Sequence, residues 1–291
     1  MVAATLKKIQ EETNNIFEVL NEDTTHFYPY WHFHPQYEIM LIEEGSGTRY
    51  VGDSISPFNK GDITFIGSDT PHLFRNYPEY FDTKSPKCAK ATVLYINSNF
   101  LNSDFFNLRE MVNIKELLQH SKRGLLIKGK SKKEVACRLK KITKTNGTVR
   151  LINFISLLHY IASEGEYETL SSLSYTGALD SQDISRLNRI FDYLLKNFSR
   201  DISLFDVCTA AHMSSAAFCR YFKKQTNKTL ITFLNEIRIG NACKLLIESK
   251  NMSISEICYQ SGFNNLTNFN IQFKKIKKIN PQDYRETYNA L

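Results

Sequence analysis

Two periods divide the chain. Between about 24 and 96, apolar residues come in short alternating runs: Tyr37-Glu38-Ile39-Met40-Leu41-Ile42 stops at Gly45-Ser46-Gly47, Thr48-Arg49-Tyr50-Val51 stops at Gly52-Asp53, and Asp62-Ile63-Thr64-Phe65-Ile66 follows. Alternation of period two marks half-buried strands, and turn residues at this density predict a compact antiparallel sandwich or barrel. From 104 to 162 the spacing lengthens to three and four, through Phe105, Leu108, Val112, the run 114–118, Val135, Leu139, Ile142, Leu151, Phe154, Ile155, Leu158 and Ile161. That is the period of an apolar helix face, so two or three helices are expected after the sheet. The stretch 165–182 is rich in Ser, Thr, Gly and acidic residues and has little periodicity; beyond it the pattern is helical to the end. The expected fold is α+β in two domains: a β-barrel with helices over 1–165, a linker over 166–183 and an all-α domain over 184–291.

The helical part repeats itself. At an offset of 50, Ser203, Val207, Cys208 and Met213 fall on Ser253, Ile257, Cys258 and Phe263; at 51, Phe218, Phe222, Lys223, Lys224 and Phe233 fall on Phe269, Phe273, Lys274, Lys275 and Tyr284. Each copy reads as a helix, a tight turn and a second helix. In the first, Leu204, Val207 and Ala211 share a face, 212–214 turn, and Ser214 caps a helix that buries Phe218 and Phe222. In the second, Ile254, Ile257 and Cys258 precede Gly262, whose missing Cβ permits a left-handed backbone, and Asn264 or Asn265 caps a helix that buries Phe269 and Phe273. His212 stands where the second copy has Gly262, so the first turn is expected to carry slight strain or a different geometry.

Burying those phenylalanines turns Ser215, Ala216, Cys219, Arg220 and Lys223 outward in one copy and Leu266, Thr267, Asn270, Ile271 and Lys274 in the other. A major groove admits one α-helix, and its base edges offer partners to Arg and Asn and a thymine methyl to Ala, Leu or Ile. Lys223-Lys224, Lys274-Lys275 and Lys277-Lys278 at the helix ends are placed to neutralise phosphates. The connecting helix, 231–248, spans roughly 27 Å at ~1.5 Å per residue, near the roughly 34 Å between successive major-groove faces, so one chain could contact two adjacent turns. The competing description is a plain helical bundle with solvated lysines. Charge bears on the choice: of the net +7, residues 176–291 carry +6 (16 Lys/Arg, 10 Asp/Glu) and residues 1–175 only +1 (21 against 20), so a polyanion should dock on the second half.

The rest of the composition narrows the class. A chain of 291 residues, 42% hydrophobic, buries a full core and suggests roughly two domains. The polar stretch 1–15 lacks the features of a secretory signal, and even 151–162, interrupted by Asn153 and His159, falls short of the roughly 20 apolar residues a bilayer span needs. A soluble cytoplasmic protein without a membrane partner is expected. Cys88, Cys137, Cys208, Cys219, Cys243 and Cys258 are scattered singly and read as small core hydrophobes in a reducing compartment.

The region from about 186 to 290 resembles the AraC/XylS family of bacterial transcription activators. The resemblance rests on Ala210-Ala211-His212-Met213-Ser214, Phe222-Lys223-Lys224, Asn235-Glu236-Ile237-Arg238 with Ala242 and Leu245-Leu246, Ile254 and Ile257 to Gly262-Phe263, Phe269 to Phe273-Lys274-Lys275, and Asn280-Pro281-Gln282-Asp283-Tyr284-Arg285, where Asn280 replaces the family's Thr at a helix cap. In the first half, His32-Phe33-His34-Pro35-Gln36-Tyr37-Glu38 followed by Gly45, and then Pro57, Gly61, His72 and Asn76, resemble the two cupin motifs. These likenesses imply a cupin-like sensor barrel in which His32, His34, Glu38 and His72 converge. Three imidazoles and a carboxylate could hold a divalent metal with open positions. The same residues could instead hydrogen-bond a sugar or other small polar effector, or satisfy one another. The helices of the first half are implied as a homodimer interface, with packing against the sheet as their alternative role.

The function expected is that of a sequence-specific, effector-responsive transcription activator that binds double-stranded DNA and, as an activator, RNA polymerase. Two readings compete: a metal-dependent cupin enzyme with a helical appendage, and a constitutive DNA-binding protein with a vestigial pocket. Fold alone does not establish chemistry.

Overall fold

A computed structural model describes residues 16–101, 104–175, 181–249 and 251–289. The polar stretch 1–15 and the linker residues 176–180 lie outside the described residues. The chain forms two compact units that divide between 179 and 180.

Among its described residues the first unit holds nine strands: β1 (Phe17–Thr24), β2 (Tyr37–Glu44), β3 (Gly47–Val51), β4 (Ser54–Phe58), β5 (Ile63–Ile66), β6 (His72–Asn76), β7 (Ala89–Ile96), β8 (Leu125–Ile127) and β9 (Tyr167–Thr169). They make two antiparallel sheets, in the orders β1-β7-β2-β5-β8-β9 and β4-β3-β6. Its helices are α1 (Ser98–Leu101), α2 (Val112–Ser121), α3 (Ser131–Thr143) and α4 (Gly147–Ser163). Strand β2 is buried on both faces because each packs on something different. Tyr37, Ile39 and Leu41 join Leu117, Leu139, Phe154 and Leu158 of the helices, while Met40 and Ile42 join Val51, Phe58 and Phe74 of the smaller sheet. The period of two therefore sends Glu38, which shares parity with Met40, into the barrel.

The second unit is all helical: α5 (Ser181–Asn197), α6 (Leu204–Ala211), α7 (Ser215–Thr226), α8 (Leu230–Glu248), α9 (Ile254–Gln260), α10 (Leu266–Lys277) and α11 (Pro281–Asn289). Helix α8 buries Phe233, Leu234 and Ile237 early and Ile239, Ala242, Cys243 and Leu246 later, so it has no wholly polar side. Its later part belongs to the core of the second copy, with Ile257, Phe263, Phe269, Phe273 and Tyr284.

Four expectations need correction. Strand β1 lies upstream of the alternating region that begins at about 24, because an edge strand with a polar second half shows little period; it pairs with β7 from Phe17↔Ile96 to Thr24↔Ala89. Within the region read as helical, Leu125-Leu126-Ile127 is a strand, too short to impose a period of its own. The linker expected over 166–183 loses both its ends. Strand β9 pairs with β8, Ser172 N–H donates to Asp53 Oδ1 at 2.9 Å, and Asp183 lies in α5, where its carboxylate accepts from Gln225 Nε2 at 2.8 Å. Cys137 and Cys219 are exposed, so the reading of every cysteine as a core residue fails for these two.

Candidate nucleic-acid interface and effector pocket

The two copies in the second unit share the same caps and turns. Ser203 and Asp206 form a capping box at the start of α6, and Ser253 and Glu256 form its counterpart at α9. Their N-cap N–H groups donate to the carboxylates at 2.9 and 2.7 Å. Hydrogen bonds from Ser203 hold the Asp206 carboxyl below its ordinary range, and the backbone N–H of Ser253 does the same for Glu256. Both first helices end in the same reversal: Met213 N–H donates to Cys208 O at 3.0 Å, and Phe263 N–H to Cys258 O at 3.1 Å, the long bond of a Schellman motif. The residue at the left-handed position is His212 in one copy (φ 54°) and Gly262 in the other (φ 87°). The first turn thus keeps the geometry of the second and carries the strain, a cost of roughly 1–3 kcal/mol for a non-glycine residue.

The second helices follow suit. Ser214 caps α7 and Asn265, rather than Asn264, caps α10. The Phe222 and Phe233 rings meet at 5.3 Å and 82°, and Phe273 and Tyr284 at 5.5 Å and 81°. With these rings inside, Ser215, Ala216, Cys219, Arg220, Lys223 and Lys224 of α7 and Leu266, Thr267, Asn270, Ile271, Lys274 and Lys275 of α10 are all exposed. Every side chain expected on a DNA-facing surface is therefore free to reach one, and Ile271, 59% exposed, has no place in the core.

Arg238 joins the copies, a role that motif reading did not assign to it. From α8 its Nε donates to Phe198 O and its Nη2 to Arg200 O, both at 2.8 Å, and its guanidinium lies 5.7 Å from the Phe263 ring centroid. Gly262 sits against the same loop: a Cβ there would stand 2.4 Å from Phe198 O. Asn264 Nδ2 adds a bond to Asp201 Oδ1 at 2.9 Å. The α5–α6 loop is thus fastened to the turn of the second copy.

In the first unit the barrel brings His32, His34, His72 and Glu38 together. One ring nitrogen from each histidine lies within 4.8 Å of the others. Glu38 Oε2 is 3.2 Å from His34 Nε2 and 3.6 Å from His72 Nε2. His72 comes from β6, and His32 reaches it through a two-bond backbone bridge (3.0 and 2.9 Å). Each Nδ1 faces a carbonyl: Tyr30 O for His32, Gln36 O for His34 and Thr70 O for His72, at 2.8, 3.0 and 2.8 Å. A carbonyl only accepts, so each Nδ1 donates and Nε2 is the inward nitrogen, the orientation metal-binding imidazoles adopt; the hydrogen bond from His34 Nε2 to an ionised Glu38 requires a proton on that Nε2 as well, one that a bound cation would displace. His72 Nε2 is buried without a hydrogen bond. Burial, and then the neighbouring His72, hold His32 well below the ordinary histidine range. Burial alone would raise Glu38, but His34 and His72 bring its carboxyl well below the usual value and keep it ionised. The cavity beside them, about 20 Å3 of space open to the centre of a water molecule, is lined by Phe27, Tyr28, Phe74 and Tyr95 as well as Glu22, Glu38, His32 and His72. An anionic carboxylate among inward imidazole nitrogens fits a divalent cation. Asn76 of the cupin-like motif does other work: its Oδ1 accepts from Phe27 N–H at 2.8 Å and its Nδ2 donates to Ser46 O at 3.2 Å.

Comparison with known proteins matches a family model to each unit. Residues 16–132 match the AraC-like ligand binding domain and residues 207–287 the helix-turn-helix domain. The chain belongs to the AraC family of transcription regulators. It is 25% identical over 260 residues to the HTH-type transcriptional activator RhaR of Mannheimia succiniciproducens, covering 88% of this chain and 87% of that one. It is 23% identical over 259 residues to RhaS, a transcriptional activator of Yersinia pseudotuberculosis, covering 87% and 88%. An uncharacterized HTH-type regulator from the cgkA 5' region of Pseudoalteromonas carrageenovora is 32% identical over 98 residues, 34% of this chain and 57% of that. The AraC family consists of DNA-binding regulators rather than enzymes, which sets aside the reading as a cupin enzyme. Its first domain is a ligand-binding one. No helix among the described residues is long and apolar enough to cross a membrane.

The shared turn yields a paired prediction. Gly262→Ala forces a Cβ onto the Phe198 carbonyl at positive φ and should cost about 2 kcal/mol or more, whereas His212→Gly relieves strain and should shift stability by less than about 1 kcal/mol, in the stabilising direction. Urea denaturation followed by far-UV circular dichroism measures both; equal losses would show that the two turns are not equivalent.

Proposed function

We propose that this AraC-family chain is a cytoplasmic, effector-responsive activator that reads two adjacent major grooves with α7 and α10. The observation that carries it is the duplication of an exposed face on matching supports: Arg220 falls opposite Ile271 and Lys223 opposite Lys274, the first pair six and the second nine residues past a side-chain cap, Ser214 in one copy and Asn265 in the other. Helix α8, 19 residues long, spans roughly 28 Å, close to the roughly 34 Å repeat of major-groove faces. Ser215, Ala216, Cys219 and Arg220, and Leu266, Thr267, Asn270 and Ile271, would meet base edges; Lys223, Lys224, Lys274 and Lys275 would meet phosphates. Like the RhaR and RhaS proteins that it is similar to, it would activate, and so touch RNA polymerase.

The barrel would bind a small polar effector, a sugar among the candidates, since its cavity pairs aromatic faces with ionisable side chains. DNA reading itself needs no cofactor. His32, His34 and His72 through Nε2, and Glu38 through a carboxylate oxygen, would hold a divalent cation, which would supply open positions for oxygen donors of the effector. Homodimerisation would use the helices of the first unit, where Val149 and Ile152 of α4 are more than half exposed.

The route from pocket to linker is short. His72 pairs with Val51 across β6 and β3, Gly52 N–H donates to Pro71 O at 3.0 Å, and Asp53 binds Ser172 through both its N–H and its hydroxyl. Ser171 Oγ donates to Val51 O at 2.8 Å. A change at His72 thereby reaches the segment that leads into the linker, and it alters DNA binding if effector affinity differs between the two states.

Two outcomes are expected. In a selection from random duplexes, Arg220→Ala changes the preferred sequence, whereas Lys274→Ala weakens binding to all sequences and lowers the salt slope by about 1; equal weakening of every sequence by both substitutions would remove the assigned roles. In thermal melts of the full chain, Zn2+ or Co2+ at about 100-fold excess over its Kd stabilises the wild type by roughly 2.7 kcal/mol, and His34→Ala abolishes the effect. Unchanged melts would leave the four residues as direct hydrogen-bonding partners of the effector.

A further inference from the structure

Dividing the charge between halves conceals a local concentration. Residues 122–144 contain ten Lys/Arg and one acidic residue, Glu134, a net +9 that exceeds the +7 of the whole chain. Several of these cations are engaged: Lys128 with Glu168 at 3.2 Å, Lys132 with Asp62 at 2.8 Å, Arg138 with Glu134 at 2.7 Å, and Arg123 with Ser171 O. Of the other six, four lie on one side of helix α3 or just past its end. Its Val135, Leu139 and Ile142 are buried, so the helical period turns Lys133, Cys137, Lys140, Lys141 and, just past the end, Lys144 outward; all five are exposed. Among the described residues, Lys133, Lys140, Lys141 and Lys144 make no ion pair.

Helix stability explains only part of this stripe. Lys140 and Lys141 lie in the last turn, where cations oppose the negative end of the macrodipole. Lys133 lies in the first turn and Lys130 at its N-cap, where a positive charge is disfavoured. Close like charges also repel one another. The arrangement is thus held against local electrostatics, and a polyanion would relieve it.

We propose that the outer face of α3 binds the phosphate backbone of the same duplex, beyond the stretch occupied by the helix-turn-helix unit. The inference rests on the DNA binding of that unit. From Lys133 to Lys144 the stripe runs about 16 Å at ~1.5 Å per residue, facing on the order of ten duplex charges at one per ~1.7 Å. Lysines are flexible point charges without bidentate geometry, so the contact is independent of sequence. Apart from Cys137 the stripe has no apolar member, which disfavours an apolar protein groove or a lipid surface as its partner. Both units belong to one chain, so duplex gripped by one is presented to the other at high effective concentration.

The test uses the full chain, mixed-sequence duplexes of about 20 and about 45 bp, roughly two and four helical turns, and the variant K133Q/K140Q/K141Q/K144Q. Fluorescence anisotropy across a salt series should show the slope of log Kobs against log[salt] reduced by roughly 3–4 on the longer duplex and unchanged on the shorter one. The matching four Lys→Arg substitutions should retain the wild-type slope. Acetylation of the wild type, read by mass spectrometry, should find the four lysines protected by the longer duplex alone. A slope unaltered on the longer duplex, or lysines acetylated equally with and without it while the protein is bound, would overturn the proposal. A wild-type chain that binds neither duplex would overturn the DNA reading beneath it.

Discussion

Two carbonyl oxygens and one missing methyl group hold the DNA-reading unit in a single shape. The guanidinium of Arg238 takes the Phe198 and Arg200 carbonyls of the α5–α6 loop, and Gly262 lets that loop lie directly on the turn of the second copy. Burial lowers the arginine's proton affinity, with Asp201 acting against it, and its charge-assisted bonds to carbonyls are each worth about 1.5–3 kcal/mol. Without this joint, each copy would be a helix pair on its own side of α8. With it, α7 and α10 are carried by one body, and the separation of their exposed faces becomes a property of the protein rather than of the DNA.

The barrel answers to a different constraint, the period of its strands. Because β2 is covered on both sides, its inward positions must fill a closed space, and there the chain places Glu38 beside Met40. The cost of a buried carboxylate is offset by His34 and His72, whose rings are in turn oriented by backbone carbonyls. Polar residues held so firmly at the heart of a ligand-binding domain form a poised site, and the clasp of Asp53 on Ser172 connects its walls to the chain that leaves the domain.

Much of this was legible in the residues. The offsets of 50 and 51 located both helix pairs, and the phenylalanine spacing gave the exposed faces to the residue, because a helix that buries Phe218 and Phe222 has its other side determined. His32, His34, Glu38 and His72 were legible as a cluster through their likeness to cupin motifs. Short strands were not: β8 and β9 have three residues each and take their structure from neighbours supplied by distant sequence. Arg238 appeared in a motif, but its role depends on carbonyls 38 and 40 positions away. The α3 stripe was hidden by summation, since acidic residues elsewhere in the first half cancel it in a total of +1.

Whether two recognition helices on one rigid body address consecutive grooves is decided by guanine-N7 methylation interference on a selected binding site. Two clusters of interfering major-groove guanines are expected on one face of the duplex, centred about 10–10.5 bp apart. A single cluster, or two on opposite faces, would contradict that arrangement.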